Sequence, residues 1–428
     1  MTEQPVIVQK ISWADLCPWT LIFKTLPIAT SVPVLLFALL GVVLTPAGWM
    51  LSETLFVHQN VRSDNALMEI VEVNRSPYRG VFAGTGSESE SVNVFGLHLS
   101  GPRNVFNQLV RPFQYLFDGQ FGLPQFFYLL LGCVWSIFVW SFIGLGITRT
   151  CLLRLTRNEQ IDLDDAFDFA LEKWMTAAGA VGIPLIAVGV LCIPAFIIGL
   201  LMGLDFGVLL AGVIWILVLA IGAAMGLLLF GLMFGWPLMV SSVGCESQNA
   251  FDAMTRAYAY TFQRPLHYLL YSFIAILFGG FCWMIVAALT DGIVGLSFWA
   301  TSWGANIASA DRIDIINGLP VAGVEGTESS MLTTGRTIIG LWNSLFRTLA
   351  AAFIYGLFWC MASAVYLLLR KEVDETEMDE IYIVDEKRTY ELPPLKSDEN
   401  GIPQVQSPQP VDDTSPDSSG DAGTEGTN

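Results

Sequence analysis

Phe206 to Cys245 reads FGVLLAGVIWILVLAIGAAMGLLLFGLMFGWPLMVSSVGC, without one charged side chain. A bilayer core of about 30 Å is crossed by roughly 20 apolar helical residues. A soluble core helix has no reason to be apolar on every face over such a length. Comparable uncharged runs lie at Thr176–Met202, Thr348–Leu369, Thr25–Ser52, Gly122–Thr148 and, apart from His267, Pro265–Thr290. Their hydropathy predicts an all-α membrane protein of about six transmembrane helices, arranged as three hairpins.

The expected organisation runs as follows. An N-terminal interfacial segment, 1–24, leads into a first span, 25–52. An outer loop, 53–121, precedes a second span, 122–148. Residues 149–175 hold an amphipathic helix, followed by spans at 176–202 and 206–240. Residues 241–264 hold another amphipathic helix before a fifth span, 265–290. An outer loop, 291–341, precedes the sixth span, 342–369, and an acidic disordered tail, 370–428.

Orientation follows the Lys and Arg bias beside short loops. Arg149, Arg154, Arg157 and Lys173 lie between spans two and three, Arg256 and Arg264 between spans four and five. Arg370 and Lys371 follow the last span, and Lys10 and Lys24 precede the first. Both termini are expected in the cytoplasm. Trp19, Trp49, Trp174, Trp236, Trp299 and Trp342 fall near span ends, as an interfacial belt predicts; Trp135, Trp140, Trp215, Trp283 and Trp359 lie deeper and are expected to pack between helices. The mixed stretch Met1–Lys24 does not resemble a cleavable signal, so the first span is expected to be retained.

Of the chain, 53% is hydrophobic and 14% charged, against about 25% charged in soluble proteins. The net charge of -18 is concentrated in the tail: from Lys371 onward 16 acidic residues face 4 basic ones. Such a chain lacks the basic surface a phosphate backbone requires, so nucleic acid is not an expected partner. The seven cysteines fall in spans or on the expected cytoplasmic side, so no disulfide framework is expected.

In the first loop, Glu69–Val73 and Ser91–Leu99 alternate like short strands. The expectation there is a small β-containing excursion or a membrane-lying helix near Asn104–Phe117. The second loop, Gly- and Thr-rich, has a turn signal at Asn317-Gly318. The tail is too polar to order itself, although Ile381-Tyr-Ile-Val-Asp has apolar residues able to dock.

A local repeat stands out. Ala166-Phe167-Asp168 is followed by Trp174, and Ala250-Phe251-Asp252 by Tyr258 at the same spacing. As helix, the first copy gathers Leu163, Phe167, Leu171 and Trp174 on one face, the second Phe251, Met254, Tyr258 and Phe262. A helix of this kind beside a span is expected in the interface, apolar face down. Ser12–Leu16 is a degenerate third candidate, and coincidence in a biased composition is the alternative. Parallel repeats of this sort differ from the inverted repeats of many ion-coupled transporters.

The run Cys245-Glu-Ser-Gln-Asn-Ala-Phe-Asp-Ala-Met-Thr-Arg-Ala-Tyr, then a polar break and the span at His267, resembles bacterial multi-span families that include the membrane domain fused to some glycerophosphodiester phosphodiesterases. In them a Glu at a span end precedes an Ala-rich amphipathic helix; here these are Glu246 and Asn249–Phe262. The resemblance covers about a third of the chain. It implies a bacterial inner-membrane domain and no catalytic residue, since the phosphodiesterase domain has no counterpart.

Chemistry-bearing patterns are missing from the sequence. No ionisable group lies inside a span, where function usually leaves one. His58, His98 and His267 form no metal-ligand spacing, and neither nucleophile elbow nor phosphate loop occurs. No catalytic residue, metal or cofactor is expected. Gly222-x-x-x-Gly226 and Gly231-x-x-x-Gly235 on span four are expected helix-packing positions, and Pro184 and Pro194 predict kinks in span three. The expected partner is the lipid bilayer, with a protein partner through the cytoplasmic helices or the acidic tail. The expectation is therefore a non-catalytic scaffold or partner subunit; the alternative is a permease for an apolar or amphipathic solute through the region of spans three and four.

Overall fold

The computed structural model describes residues 17–56, 71, 74–76, 78–82, 94–117, 122–308, 330–376, 378, 380–382, 396–397 and 403–404. The Ser12–Leu16 repeat candidate, most of Glu69–Val73, His58, the Asn317-Gly318 turn signal and the end of the tail lie outside these residues, as does the side chain of His98. Six helices among them are long and apolar enough to cross a membrane, and the chain is an all-α, multi-pass membrane protein.

After a 3-10 helix at Pro18–Thr25 come α1 (Leu26–Ala29), α2 (Val32–Phe56), α3 (Arg79–Phe82), α4 (Val94–Leu116) and α5 (Leu123–Thr156). Then follow α6 (Leu163–Leu201), α7 (Asp205–Glu246), α8 (Ala250–Gln263), α9 (Pro265–Ala308) and α10 (Ser330–Asp374). The six candidate spans are α2, α5, α6, α7, α9 and α10. Helices suit this sequence because in lipid every backbone N–H and C=O must be satisfied within the segment.

Several boundaries differ from expectation. The first span begins at Val32, after a break at Thr30–Ser31 flanked by Pro27 and Pro33. The expected amphipathic helix of 149–175 does not exist as a separate element. Its first part belongs to α5, and 163–175 is the start of the continuous 39-residue α6, because nothing between Lys173 and Ala177 breaks a helix. Pro184 and Pro194 both lie inside α6. The second copy of the repeat does stand alone as α8. It is bounded by Ser247 in the left-handed conformation (φ 54°) and by Arg264, held at φ -129° ahead of Pro265, since a residue before proline is driven from the helical region.

Two loop expectations are corrected. Residues 94–99, part of the expected strand Ser91–Leu99, are the first turns of α4; short alternating runs do not separate strand from helix. α4 is the helix expected near Asn104–Phe117. The loop of 291–341 is largely helical: α9 continues to Ala308 and α10 starts at Ser330.

Glycine lets the helices close on aromatic rings. Gly48 of α2 lies under the Trp135 ring of α5, and Gly132 of α5 under the Trp49 ring of α2. The two indoles are satisfied across the same contact: Trp135 donates to the Leu44 carbonyl (2.9 Å) and Trp49 to Ser136 Oγ (3.2 Å). The later half of α10 is buried almost throughout from Ala350 to Arg370. Small residues there, Ala350, Ala351, Ala352, Gly356 and Ser363, admit close neighbours on all sides. α4 is inserted against α9 and α10. Its Gly101 meets the Trp283 ring, and Tyr355 of α10 donates to its Gln108 Oε1 (2.8 Å).

The chain divides into two compact units, Met1–Tyr382 and Ile383–Asn428. In the second, Lys396–Ser397 and Pro403–Gln404 form an antiparallel two-residue ladder where a tail without regular structure was expected; the Asn400-Gly401 dipeptide between them is a hairpin signal. The first residues assigned to the tail, up to Tyr382, belong to the helical unit, with Ile381 buried.

Candidate functional site

Among the described residues of the helical unit lies a partly open cavity of about 180 Å³. α4 contributes Leu109 and Phe113 to its wall, and Phe117 follows just past its end. α5 contributes Ile137 and Trp140, and α6 contributes Val181 and Leu185. Leu229, Met233 and Trp236 come from α7 and Trp359 from α10. No charged side chain lines it; the polar residues of the lining, apart from the tryptophans, are Gln114, Ser136 and Ser141.

The aromatic wall is ordered. Trp140 stacks on Tyr355 (centroids 4.7 Å, 14° between planes), Trp236 stacks on Phe358 (5.7 Å), and Trp236 meets Trp359 edge-on (5.4 Å, 85°). These are favoured aromatic geometries. Gly144 makes room for Trp359, because a Cβ there would lie 2.7 Å from the indole. The indole N–H groups of Trp140, Trp236 and Trp359 are buried and have no acceptor. On the other side of Trp140 a second space of about 10 Å³ is bordered by Asn74, Gln108 and Tyr355, a volume suited to one water molecule.

A second constellation closes one end of the unit, where α7 finishes. Glu246 Oε1 accepts from the Tyr366 hydroxyl at 3.3 Å and forms ion pairs with Arg370 (Nε at 2.8 Å) and Arg256. Gln248 donates to its other oxygen. Arg149 donates to the Gly244 carbonyl (3.1 Å) while its guanidinium lies 4.5 Å from the Phe169 ring. The Tyr382 N–H donates to the Cys245 carbonyl (3.0 Å), and Arg370 Nη1 to the Glu380 carbonyl (2.8 Å). The exposed carbonyls of the α7 terminus and its negative dipole end are thus met by cationic and N–H donors. Asp374 accepts from Tyr260 (2.5 Å) and pairs with Arg256 (3.3 Å). Burial, and then the Asp374 carboxylate, push the Tyr260 phenol above its ordinary range. Arg149 and Arg370, read in the sequence as basic flanks, are buried structural donors.

The repeat residues do not converge on one site. Phe167 is partly exposed between the rings of Phe37 (6.4 Å) and Phe142 (5.2 Å), and Trp174 meets Phe138 edge-on (5.7 Å). Phe251, Asp168 and Asp252 are exposed. Tyr258 lies on Gly231 and donates to the Leu228 carbonyl (2.6 Å). The fully buried residues of α8 are Ala253, Ala257, Tyr260 and Thr261; of the bulky residues, Met254 and Tyr258 are half-buried against the core, and Phe251 and Phe262 are exposed.

The glycine expectation divides. Gly231 meets Tyr258, and Gly235 is in ordinary contact with Ala257 and Thr261 of α8. Gly222 and Gly226 have open space where a side chain would be, so among the described residues they pack against nothing. Two tryptophan placements are also corrected. Trp236 belongs to the cavity wall rather than a span end, and Trp215 is exposed rather than packed between helices.

The cavity itself was missed in the sequence. Its wall draws on five helices, and the one available signal was the cluster of tryptophans at uncharged positions of spans two, four and six. Among the described residues no three His, Cys, Asp or Glu side chains come together as a metal site. Compared with protein-family models, curated proteins and solved structures, the chain matches none.

Proposed function

We propose that this chain is a non-catalytic protein of the bacterial inner membrane that accommodates an apolar or amphipathic solute among its spans, a lipid above all. One observation carries the reading: a cavity of about 180 Å³ with an almost wholly apolar wall, in a body where several helix contacts bring rings onto glycines. Protein interiors leave few voids larger than a water molecule, and small-molecule sites are concave, apolar and supplied with a few polar groups. The volume is below that of a complete drug-sized site, so it suits a chain segment or one ring while the rest of the solute lies in lipid. The Lys and Arg bias supports placing the Glu246 end in the cytoplasm, with α8 in the interface, its Phe251 and Phe262 turned outward.

The test is native mass spectrometry of the full chain released from lipid nanodiscs, compared with Val181→Trp, which fills the cavity. Wild type is expected to retain one lipid-sized adduct that the variant loses. Equal retention by both would refute the reading.

A scaffold or partner-subunit role is the second reading. It is favoured by the open faces of Gly222 and Gly226 on the lipid-exposed part of α7, where a neighbouring helix would approach closely. Crosslinking at these two positions in native membranes distinguishes it.

A further inference from the structure

Helix α4 is not one of the six candidate spans, yet it packs against their deep parts. Trp283, whose ring meets Gly101, stands about 27 Å along α9 from Pro265 at about 1.5 Å per residue. Tyr355, which donates to Gln108, stands about 22 Å along α10 from Arg370. Trp236, whose ring faces Phe106, stands about 15 Å along α7 from Glu246. At the other end of α4, Phe113 and Leu116 pack beside Trp49, Tyr128 and Leu129, toward the ends of α2 and α5 remote from Arg149. A hydrocarbon core is about 30 Å thick, so α4 descends from that far side to mid-depth. Its two faces differ. Gly101, Pro102, Val105, Leu109 and Pro112 are buried, whereas Arg103, Asn107, Arg111 and Gln114 are exposed and share one face at helical spacing. A charged side chain turned to hydrocarbon at this depth is costly, and such residues face water-filled cavities instead. A helix that enters the membrane without spanning it meets the same demand.

We propose that the stripe from Arg103 to Gln114 walls a water-filled vestibule entered from the outer side, and that it holds the anionic head group of an amphipathic solute whose chain occupies the cavity. The inference rests on the proposed binding role and names the ligand chemistry. Gln114 joins the two places, because it belongs to the exposed stripe and also lines the cavity. Leu109 and Phe113 of the same helix supply apolar wall. Arg111 lies about one helical turn from Gln114, and Tyr115 orients it: Arg111 Nη2 donates to the Tyr115 hydroxyl (3.1 Å). Head group and chain are therefore recognised on adjoining faces of one helix. An anion suits the stripe because no Asp or Glu occurs from Val94 to Phe117, and a guanidinium matches the geometry of a phosphate or carboxylate. A neutral amphiphile makes no use of two cations carried to this depth. Two membrane components share the chemistry: the phosphate of an anionic phospholipid and the carboxylate of a fatty acid.

The experiment titrates the full chain in detergent, followed by native mass spectrometry, with three probes that carry the same chain: dioleoylphosphatidylglycerol, oleate and uncharged monoolein. Wild type is compared with Arg103→Gln/Arg111→Gln, with Arg103→Lys/Arg111→Lys, and with Val181→Trp. Wild type is expected to hold an anionic probe at least about tenfold more tightly than monoolein, as one charge-assisted contact implies. The Gln pair is expected to bind the anionic probes as weakly as monoolein, and the Lys pair to keep part of the preference. Preference for phosphatidylglycerol or for oleate supports the inference and identifies the source. A second measurement does not depend on the arginine variants: Asn107→Cys in intact membranes is expected to react with a membrane-impermeant maleimide, while Ile216→Cys on the lipid-exposed part of α7 does not. Equal affinity of wild type for all three probes, an anion preference that survives in the Gln pair, or an unreactive Asn107→Cys overturns the inference while leaving the cavity a binding site. Unchanged binding in Val181→Trp, or no binding by wild type, overturns the cavity reading and this inference with it.

Discussion

Helix α7 carries two glycine pairs at the same spacing, and they live in different surroundings. Around Gly222 and Gly226 the helix is exposed: Ile216, Leu217, Leu219 and Leu227 all face outward. Around Gly231 and Gly235 it is gripped by α8, and from Pro237 to Cys245 it is buried almost continuously before ending on Glu246 and its arginines. The same small-residue motif is a packing device in one half and an unused surface in the other. A motif of this kind records permission for close approach, and only the presence of a neighbour turns that permission into a contact.

The comparison can be broken most forcefully at the gripped end. Glu246→Gln leaves the buried Arg370 and its neighbour Arg256 without their shared carboxylate. Removing one partner of a buried pair is expected to destabilise by about 3 kcal/mol or more, read as a fall in unfolding midpoint in detergent. A change below about 1 kcal/mol would mean that this end does not hold the helix.

Gly231→Val comes next. A Cβ there would lie 2.2 Å from the Tyr258 ring, so overpacking is expected to remove about 1–3 kcal/mol, with the same thermal measurement as the check.

Tyr260→Phe sharpens the gripped half further, with an expected loss of about 1 kcal/mol at neutral pH from the hydrogen bond to Asp374. Because the folded protein holds the phenol proton more tightly than the unfolded chain, this contribution is fully present below the ordinary phenol range. It declines as pH rises through the raised value. The gap between wild type and variant should therefore narrow in alkaline denaturation series; a gap that widens with pH contradicts the assigned contact.

The smallest effect is expected at Gly222→Val, where a side chain meets nothing among the described residues. The change should stay within about 0.5 kcal/mol. A large loss there would show that a second helix, from another molecule, covers this half.

The same contrast explains how much of the molecule was legible before its structure. The uncharged runs of α6 and α7 announced membrane helices because the bilayer imposes a length and a composition directly on the chain. The break at Arg264–Pro265 could be read locally, since proline constrains the residue before it. The absence of a break at Lys173–Ala177 was equally local, yet the repeat with Ala250–Tyr258 suggested a separate helix that the chain does not make. The alternation of Ser91–Leu99 misled for a different reason, because a short alternating run fits strand and helix alike.

The cavity belongs to the part that no local reading reaches. Leu109, Val181, Met233 and Trp359 come from four helices far apart in the chain, and nothing in the order of residues says that they face one space. Trp236 looked like an interfacial anchor because its position along span four was all that could be seen. Its unpaired indole, and those of Trp140 and Trp359, are facts about neighbours.

By itself, then, the amino-acid sequence determined an all-α chain that lives in lipid, because hydrophobic length and the need for internal backbone hydrogen bonding act residue by residue. The tertiary structure alone decided which glycines touch rings, which arginines are buried around Glu246, and where three indoles converge without acceptors. Those outcomes depend on contacts between distant segments, and it is such contacts, not composition, that give a membrane helix bundle a place to bind anything.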